Sequence, residues 1–139
     1  MRSRGAAVEQ LPLPDSASLG TFVPPTIIEI GAIGELTREV FGPVLTWQTF
    51  TDEADALHKA NATDYGLAAM LYTRDPARAQ RMAAGLVAGT VWLNCFFVRE
   101  LGAPFGGARN SGIGREGGSW SFDFFCDVKN VAIRRGSLG

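Results

Sequence analysis

Four features of this 139-residue sequence have the residue types and spacing to do chemistry. Gly112-Ile-Gly114-Arg-Glu-Gly117 is a literal G-x-G-x-x-G. A dinucleotide loop of that form needs a strand just before it and a helix opening within it. Here the polar run 106–111 precedes it and only 22 residues follow, so its glycines are expected to bend the backbone and allow close packing. Cys95 closes an apolar run with no base or cation beside it, and Cys126 sits among aromatics. A nucleophilic thiolate needs such neighbours, so both are expected to be structural thiols. The single histidine, His58, falls on a polar helix position and reads as solvated; two cysteines and one histidine are too few soft ligands for zinc, and no metal is expected. The fourth feature is Arg38-Glu39-Val-Phe41-Gly-Pro-Val44. A carboxylate and an aromatic two residues apart, beside a rigid Gly-Pro turn, can project into one site. The carboxylate can accept hydrogen bonds from vicinal sugar hydroxyls, and the ring can pack on a flat heterocycle. The alternative is a solvated Glu39 and a core Phe41.

The elements that must position these residues follow from local signals. Residues 1–20 read as an irregular, partly extended lead-in punctuated by Pro12, Pro14 and Gly20. Pro24-Pro25 forces an extended entry, and the β-branched run to Ile30 predicts a strand. Residues 34–40 are short and polar, and Gly42-Pro43 predicts a turn before a strand over 44–50. A helix is expected over 52–60, with Thr51 as its N-cap. A strand follows over 67–73, then a second helix opened by Asp75-Pro76 and stopped by Gly89. The run 90–95 predicts a buried strand, 104–118 a loop with six glycines, 119–126 a short aromatic helix and 127–133 a last strand. Alternating strands and helices predict an α/β fold with parallel helix-connected strands.

Composition narrows the function classes. Thirteen basic and fourteen acidic residues leave a net charge of −1 with no basic stripe, so no nucleic-acid or anionic-membrane partner is expected. No run reaches the roughly 18 apolar residues of a membrane helix, and no apolar core of a signal peptide follows Met1. Two unpaired cysteines suit a reducing, cytoplasmic compartment.

Five blocks then carry a resemblance. Glu39-Val-Phe41-Gly-Pro-Val44, Tyr65-Gly-Leu-Ala-Ala69, Gly89-Thr-Val-Trp-Leu-Asn94, Pro104-Phe-Gly-Gly107 and Ser111-Gly-Ile-Gly-Arg-Glu116 resemble, in order and spacing, the C-terminal part of the aldehyde dehydrogenase superfamily. They span about residues 20–133. The resemblance implies that Glu39 hydrogen-bonds the nicotinamide ribose of NAD or NADP and that Phe41 packs beside the nicotinamide. It implies that Phe105 lines the aldehyde tunnel and that residues 96–103 form its mouth. Within that mouth Arg99 is positioned to grip a substrate carboxylate bidentately, the alternative being a solvated arginine. The family's reaction is thiolate attack on the aldehyde, hydride transfer and thioester hydrolysis. Its nucleophilic cysteine, general-base glutamate and dinucleotide-binding domain match nothing here, so no catalytic residue is assigned and the isolated chain is expected to be inactive.

The two ends resemble different branches. Leu11-Pro-Leu-Pro14 with residues 20–30 resembles the glutamate-semialdehyde dehydrogenase module of bifunctional proline-catabolic enzymes. Asn94-Cys-Phe-Phe-Val-Arg-Glu100 and residues 117–125 resemble hydroxymuconic-semialdehyde dehydrogenases, and a junction near residues 44–60 is one way to join them. Both branches take an aldehyde that also carries an acid group. The expected organisation is a lead-in over 1–20, a partial catalytic domain of mostly parallel sheet with flanking helices over 21–118, and a C-terminal helix and oligomerisation arm over 119–139. Val128–Ile133 is expected to add to a partner subunit's sheet, giving a homo-oligomer. The competing expectation is a non-catalytic remnant that associates with a full-length paralogue.

Overall fold

A computed structural model describes residues 7–31 and 39–136. Arg38, most of the polar stretch 34–40 and the extreme termini lie outside them. The chain is α/β, and its described residues hold two small sheets and three α-helices. Strands β1 (Val8–Gln10), β2 (Thr26–Glu29) and β3 (Val44–Trp47) form the first sheet in that order. β1 runs antiparallel to β2, and β2 runs parallel to β3. The stretch expected to be an irregular, partly extended lead-in holds a paired strand, followed by a 3-10 turn over Asp15–Leu19. Its polar and proline-rich sequence gave no alternation from which to read that strand.

Period-two alternation sorts the first sheet. Thr26 and Ile30 are buried, and the intervening Ile28 is half-buried with its cross-strand neighbour Thr46. The buried Thr26 hydroxyl is satisfied, donating to the Pro24 carbonyl (2.8 Å) and accepting from Gln10 Nε2 (3.1 Å).

Helix α1 (Glu53–Ala60) follows β3. Its N-cap is Asp52 and not Thr51: Asp52 accepts from the Asp55 N–H at 2.8 Å. Thr51 stands one residue further out, where its own N–H donates to the Asp55 carboxylate at 2.9 Å. A carboxylate is the stronger acceptor beside a positive helix end, which explains the one-residue shift. Lys59 closes the helix with an i,i+4 ion pair to Asp55 at 2.7 Å. That pair, and then the Thr51 N–H, hold the Asp55 carboxyl below its ordinary pKa.

The second sheet pairs β4 (Ala68–Leu71) parallel to β5 (Thr90–Leu93) across helix α2 (Pro76–Gly85). Asp75 caps α2 by accepting from the Ala77 and Arg78 N–H groups, with Pro76 in the first turn as expected. The helix ends four residues before Gly89. Asn61, the C-cap of α1, donates Nδ2 to the Gly85 carbonyl (2.8 Å) and accepts the Val87 N–H at Oδ1 (2.9 Å). A side chain from the preceding helix thereby stops α2. Gly89 is needed for another reason: a Cβ there would run into the Gly106 carbonyl oxygen.

Parallel pairing through α2 is as expected, but β3 and β4, joined by α1, lie in different sheets. α1 and α2 are instead tied by Glu53, which accepts from Arg78 Nε (2.8 Å) and from Arg81 Nη2 (2.8 Å) and Nε (3.1 Å). Arg81 first, and Arg78 next, lower the Glu53 pKa from 4.5 to about 2.

Helix α3 (Trp120–Phe125) forms as expected, but the strand expected over 127–133 does not. A strand is defined by the ladder it shares with another, and no described residue of the chain forms a ladder with 127–136. Val128 there is 96% exposed. Buried apolar side chains among the described residues are confined to Ile30, Ala79, Met82 and Trp92. No helix among them is long and apolar enough to cross a membrane.

Candidate functional site

The tunnel-mouth expectation falls on the segment after β5, and Trp92 organises it. Trp92 is buried at the middle of β5, its rings 6.2 Å from Phe96 and 6.0 Å from Phe97. Its indole N–H donates to the Val98 carbonyl at 2.9 Å. Asn94 adopts φ 54° and its amide pairs with both backbone groups of Thr73, at 2.8 and 2.9 Å. Asparagine tolerates this left-handed backbone better than most residues. The chain therefore leaves β5 sharply, folds its two phenylalanines onto Trp92 and delivers Arg99 to the next turn.

Arg99 meets Phe105 and Glu116 there. The guanidinium carbon lies 5.2 Å from the Phe105 ring centroid, within cation–π range. Arg99 Nη2 stands 3.5 Å from Glu116 Oε1, a long contact between half-exposed side chains. Phe105 and Glu116 are fixed to one another by reciprocal backbone hydrogen bonds of 2.8 Å each. Phe105, the cation and its counter-ion are thus one cluster. Glu116 belongs to the block Ser111–Glu116 but carried no expected role. Its only sequence signal is a charge opposite to Arg99 seventeen residues away, inside a glycine-rich loop without periodicity.

The loop between Phe105 and Glu116 is held from several sides. Arg115 donates to the Gly107 carbonyl at 2.7 Å, and Ser111 Oγ accepts the Gly66 N–H at 2.9 Å. Arg109 donates to the Asn61 carbonyl at 2.8 Å and also to that of Thr63. A 3-10 turn (Arg109–Ser111), not a strand, precedes Gly112. Gly117, at φ 99°, packs where a Cβ would strike the Ala103 carbonyl oxygen. These glycines bend and pack backbone, as expected of them.

Glu39 and Phe41 lie elsewhere, on the approach to β3. Both are exposed, Phe41 at 92%, so Phe41 is not a core residue. The turn beside them is anchored: the Thr26 N–H donates to the Pro43 carbonyl at 2.8 Å, and the Val44 N–H to that of Gly42 at 2.7 Å. A fixed turn with a free carboxylate and a free ring can receive a polar, flat ligand. The Arg99–Phe105–Glu116 contacts do not extend to either residue. His58 is exposed, Cys95 half-buried and Cys126 exposed; both cysteines are free thiols. Among the described residues, no three His, Cys, Asp or Glu side chains gather into a metal-binding group.

Comparison with known proteins covers almost the whole chain. The sequence pattern of the aldehyde dehydrogenase family matches residues 2–131. The chain is 43% identical over 132 residues to 2-aminomuconic semialdehyde dehydrogenase of Mus musculus, covering 94% of the chain and 27% of that enzyme. It is 42% identical over 124 residues to 2-hydroxymuconic semialdehyde dehydrogenase of Pseudomonas sp. strain CF600, covering 88% and 26%. A crystal structure of betaine aldehyde dehydrogenase from Staphylococcus aureus in complex with NAD+, a P449M point mutant, superposes with a TM-score of 0.80 at 37% identity, covering 89% and 26%. The chain spans about a quarter of the length of the curated relatives it matches. The match to the mouse enzyme, over 94% of the chain, runs through residues 44–60.

Proposed function

The chain belongs to the aldehyde dehydrogenase family, and on that premise we propose that it forms the C-terminal part of an NAD- or NADP-dependent enzyme that oxidises a carboxylate-bearing semialdehyde to the acid. The observation that carries the substrate class is the Arg99–Phe105 pair: a half-exposed guanidinium over the ring of an aromatic assigned to the tunnel. A guanidinium fork matches a carboxylate, and a neutral aldehyde gains nothing from it. Two relatives whose names carry "semialdehyde" support the same class.

In this reading Phe105 lines the path of the aldehyde and Arg99 orients it by its distal acid group. Glu39 accepts hydrogen bonds from ribose hydroxyls, and Phe41 packs beside the nicotinamide; the exposure of both, beside an anchored turn, fits that use. The bound cofactor supplies the hydride acceptor. The nucleophile and the general base come from other polypeptide, so the isolated chain is inactive. The exposed apolar residues Val128 and Ile133 are suited to joining a neighbouring subunit's sheet edge in a homo-oligomer.

The test uses a hybrid in which this chain replaces the matching quarter of the Pseudomonas relative. Its kcat/KM is compared for a carboxylate-bearing semialdehyde and a neutral aldehyde of equal length. A charge-assisted hydrogen bond contributes about 1.5–3 kcal/mol, so Arg99→Gln should lower the anionic-to-neutral ratio by about 10- to 100-fold. An unchanged ratio would remove Arg99 as the selector and the semialdehyde assignment with it.

A further inference from the structure

Strand β5 ends at Leu93, yet its pairing with β4 continues past that residue. The Asn94 N–H donates to the Leu71 carbonyl at 2.8 Å, which carries the ladder one residue further. Asn94 then adopts φ 54° and the main chain turns away. Leu71 pairs with Leu93, so a continued β5 would have offered Thr73 the peptide groups around Cys95. The Asn94 side chain takes their place: Oδ1 accepts the Thr73 N–H at 2.8 Å, and Nδ2 donates to the Thr73 carbonyl at 2.9 Å. Only the Asn and Gln side chains carry an amide donor and acceptor together, and of the two asparagine is the one that readily takes a left-handed backbone. The bridge and the bend thus meet in one residue type. Phe97 is left-handed as well, at φ 54°, a backbone that bulky residues rarely adopt. Two such bends between residues 94 and 97 need a fixed origin, and the bridge to Thr73 supplies it from the neighbouring strand.

We propose that Asn94 is the positioning residue of Arg99: its amide bridge fixes where the chain leaves β5, and so where the guanidinium stands over Phe105. The far end of the same excursion is held by the Trp92 indole N–H on the Val98 carbonyl, a tie back to β5 itself. The Asn94 bridge refers the excursion to β4, the other strand of the sheet. Arg99 follows directly, with its guanidinium carbon 5.2 Å from the Phe105 ring centroid. A guanidinium grips a carboxylate through two parallel N–H donors, so its orientation matters as much as its charge. A displacement of about 1 Å at such a contact can lower a rate by about 100-fold. The consequence for substrate selection rests on the reading of Arg99 as the group that takes the distal acid; the placement of Arg99 does not.

The test uses the hybrid of this chain with the Pseudomonas relative and has two arms. The first needs no substrate: trypsin cuts after Arg99, and mass spectrometry follows the rate of that cut. Asn94→Gly keeps the left-handed bend and deletes the bridge, and should speed the cut by about 3- to 10-fold, the effect of losing neutral hydrogen bonds. Cutting after Arg135, outside the segment, should not change. Asn94→Asp keeps the bend and the acceptor for the Thr73 N–H but loses the donor, so its rate should lie between glycine and parent; it carries this arm if the glycine variant does not fold. In the second arm, Asn94→Gly should lower the anionic-to-neutral ratio of kcat/KM by about 3- to 10-fold through a higher KM for the anionic aldehyde, with the neutral aldehyde changed by less than about twofold. With Arg99→Gln present, the same variant should leave the ratio unmoved. Cutting at the parental rate in the variants would overturn the proposal. So would an equal loss of kcat/KM for both aldehydes, or an equal fall in the ratio with and without Arg99. A ratio that Arg99→Gln alone does not change would sink the semialdehyde reading instead, and the trypsin arm would then decide by itself whether Asn94 places Arg99.

Discussion

On the role proposed for Arg99, neutralising Glu116 should sharpen the hybrid enzyme's selection of anionic aldehydes. In the resting cluster Arg99 faces Glu116 at 3.5 Å, with side chains about half exposed at 49% and 55%. Two unit charges about 4 Å apart interact by about 1 kcal/mol at the dielectric of water and about 4 kcal/mol at an effective constant near 20. Half-exposed pairs sit near the lower limit once side-chain entropy and screening are counted, at about 0.5–1 kcal/mol. A substrate carboxylate that takes the guanidinium gives up that attraction or shares it. Glu116→Gln removes the competitor and keeps the backbone bridge to Phe105, because both bridging bonds are main-chain. The anionic-to-neutral ratio of kcat/KM in the hybrid enzyme should rise by about 2- to 5-fold. The rise should shrink as salt goes from about 0.05 to 0.5 M, since exposed charges are screened. The decisive control is the double variant. With Arg99→Gln present, Glu116→Gln should leave the ratio unmoved, even if it changes kcat for both aldehydes alike. A ratio that shifts equally with and without Arg99, or not at all with Arg99 intact, would refute the counter-ion reasoning.

Two further outcomes follow from the elements that hold the cluster. Asn61→Ala deletes two side-chain hydrogen bonds that join the ends of α1 and α2, and should cost about 1–2 kcal/mol in a urea titration of the hybrid. A midpoint within error of the parent would show that water replaces both bonds at no cost. Glu53 sets an acid limit on the same pair of helices. Its folded pKa of about 2 lies below the ordinary 4.5, because of Arg81 and then Arg78. Its contribution is therefore complete above about pH 4.5 and is lost as pH falls through about 2. Protection of the α1 and α2 amides, taken relative to their intrinsic exchange rates at each pH, should fall across that window in the parent and fall less in Glu53→Gln; equal profiles would remove Glu53 as the tie.

What the sequence determined by itself was local or patterned. Asp75-Pro76 opens α2 because the cap and the preset φ act within one turn, and the run 26–30 is extended because two prolines and β-branched residues leave it little else. Glu39, Phe41, Phe105 and Arg99 were candidates because their motif blocks are contiguous in the chain. The tertiary structure decided what depends on approach between distant residues. It assigned β3 and β4 to separate sheets, a choice of hydrogen-bonding edge that no residue in either strand encodes. It ended α2 at Gly85 through Asn61, 24 residues earlier, where the sequence pointed to Gly89. It gave Arg99 a counter-ion in Glu116, placed by a backbone bridge from Phe105 within a glycine-rich loop that has no side-chain period to read. It also withheld the strand expected over 127–133. The β-branched Val128, Val131 and Ile133 supply the propensity for a strand, but the ladder needs a second edge, which the described residues do not supply.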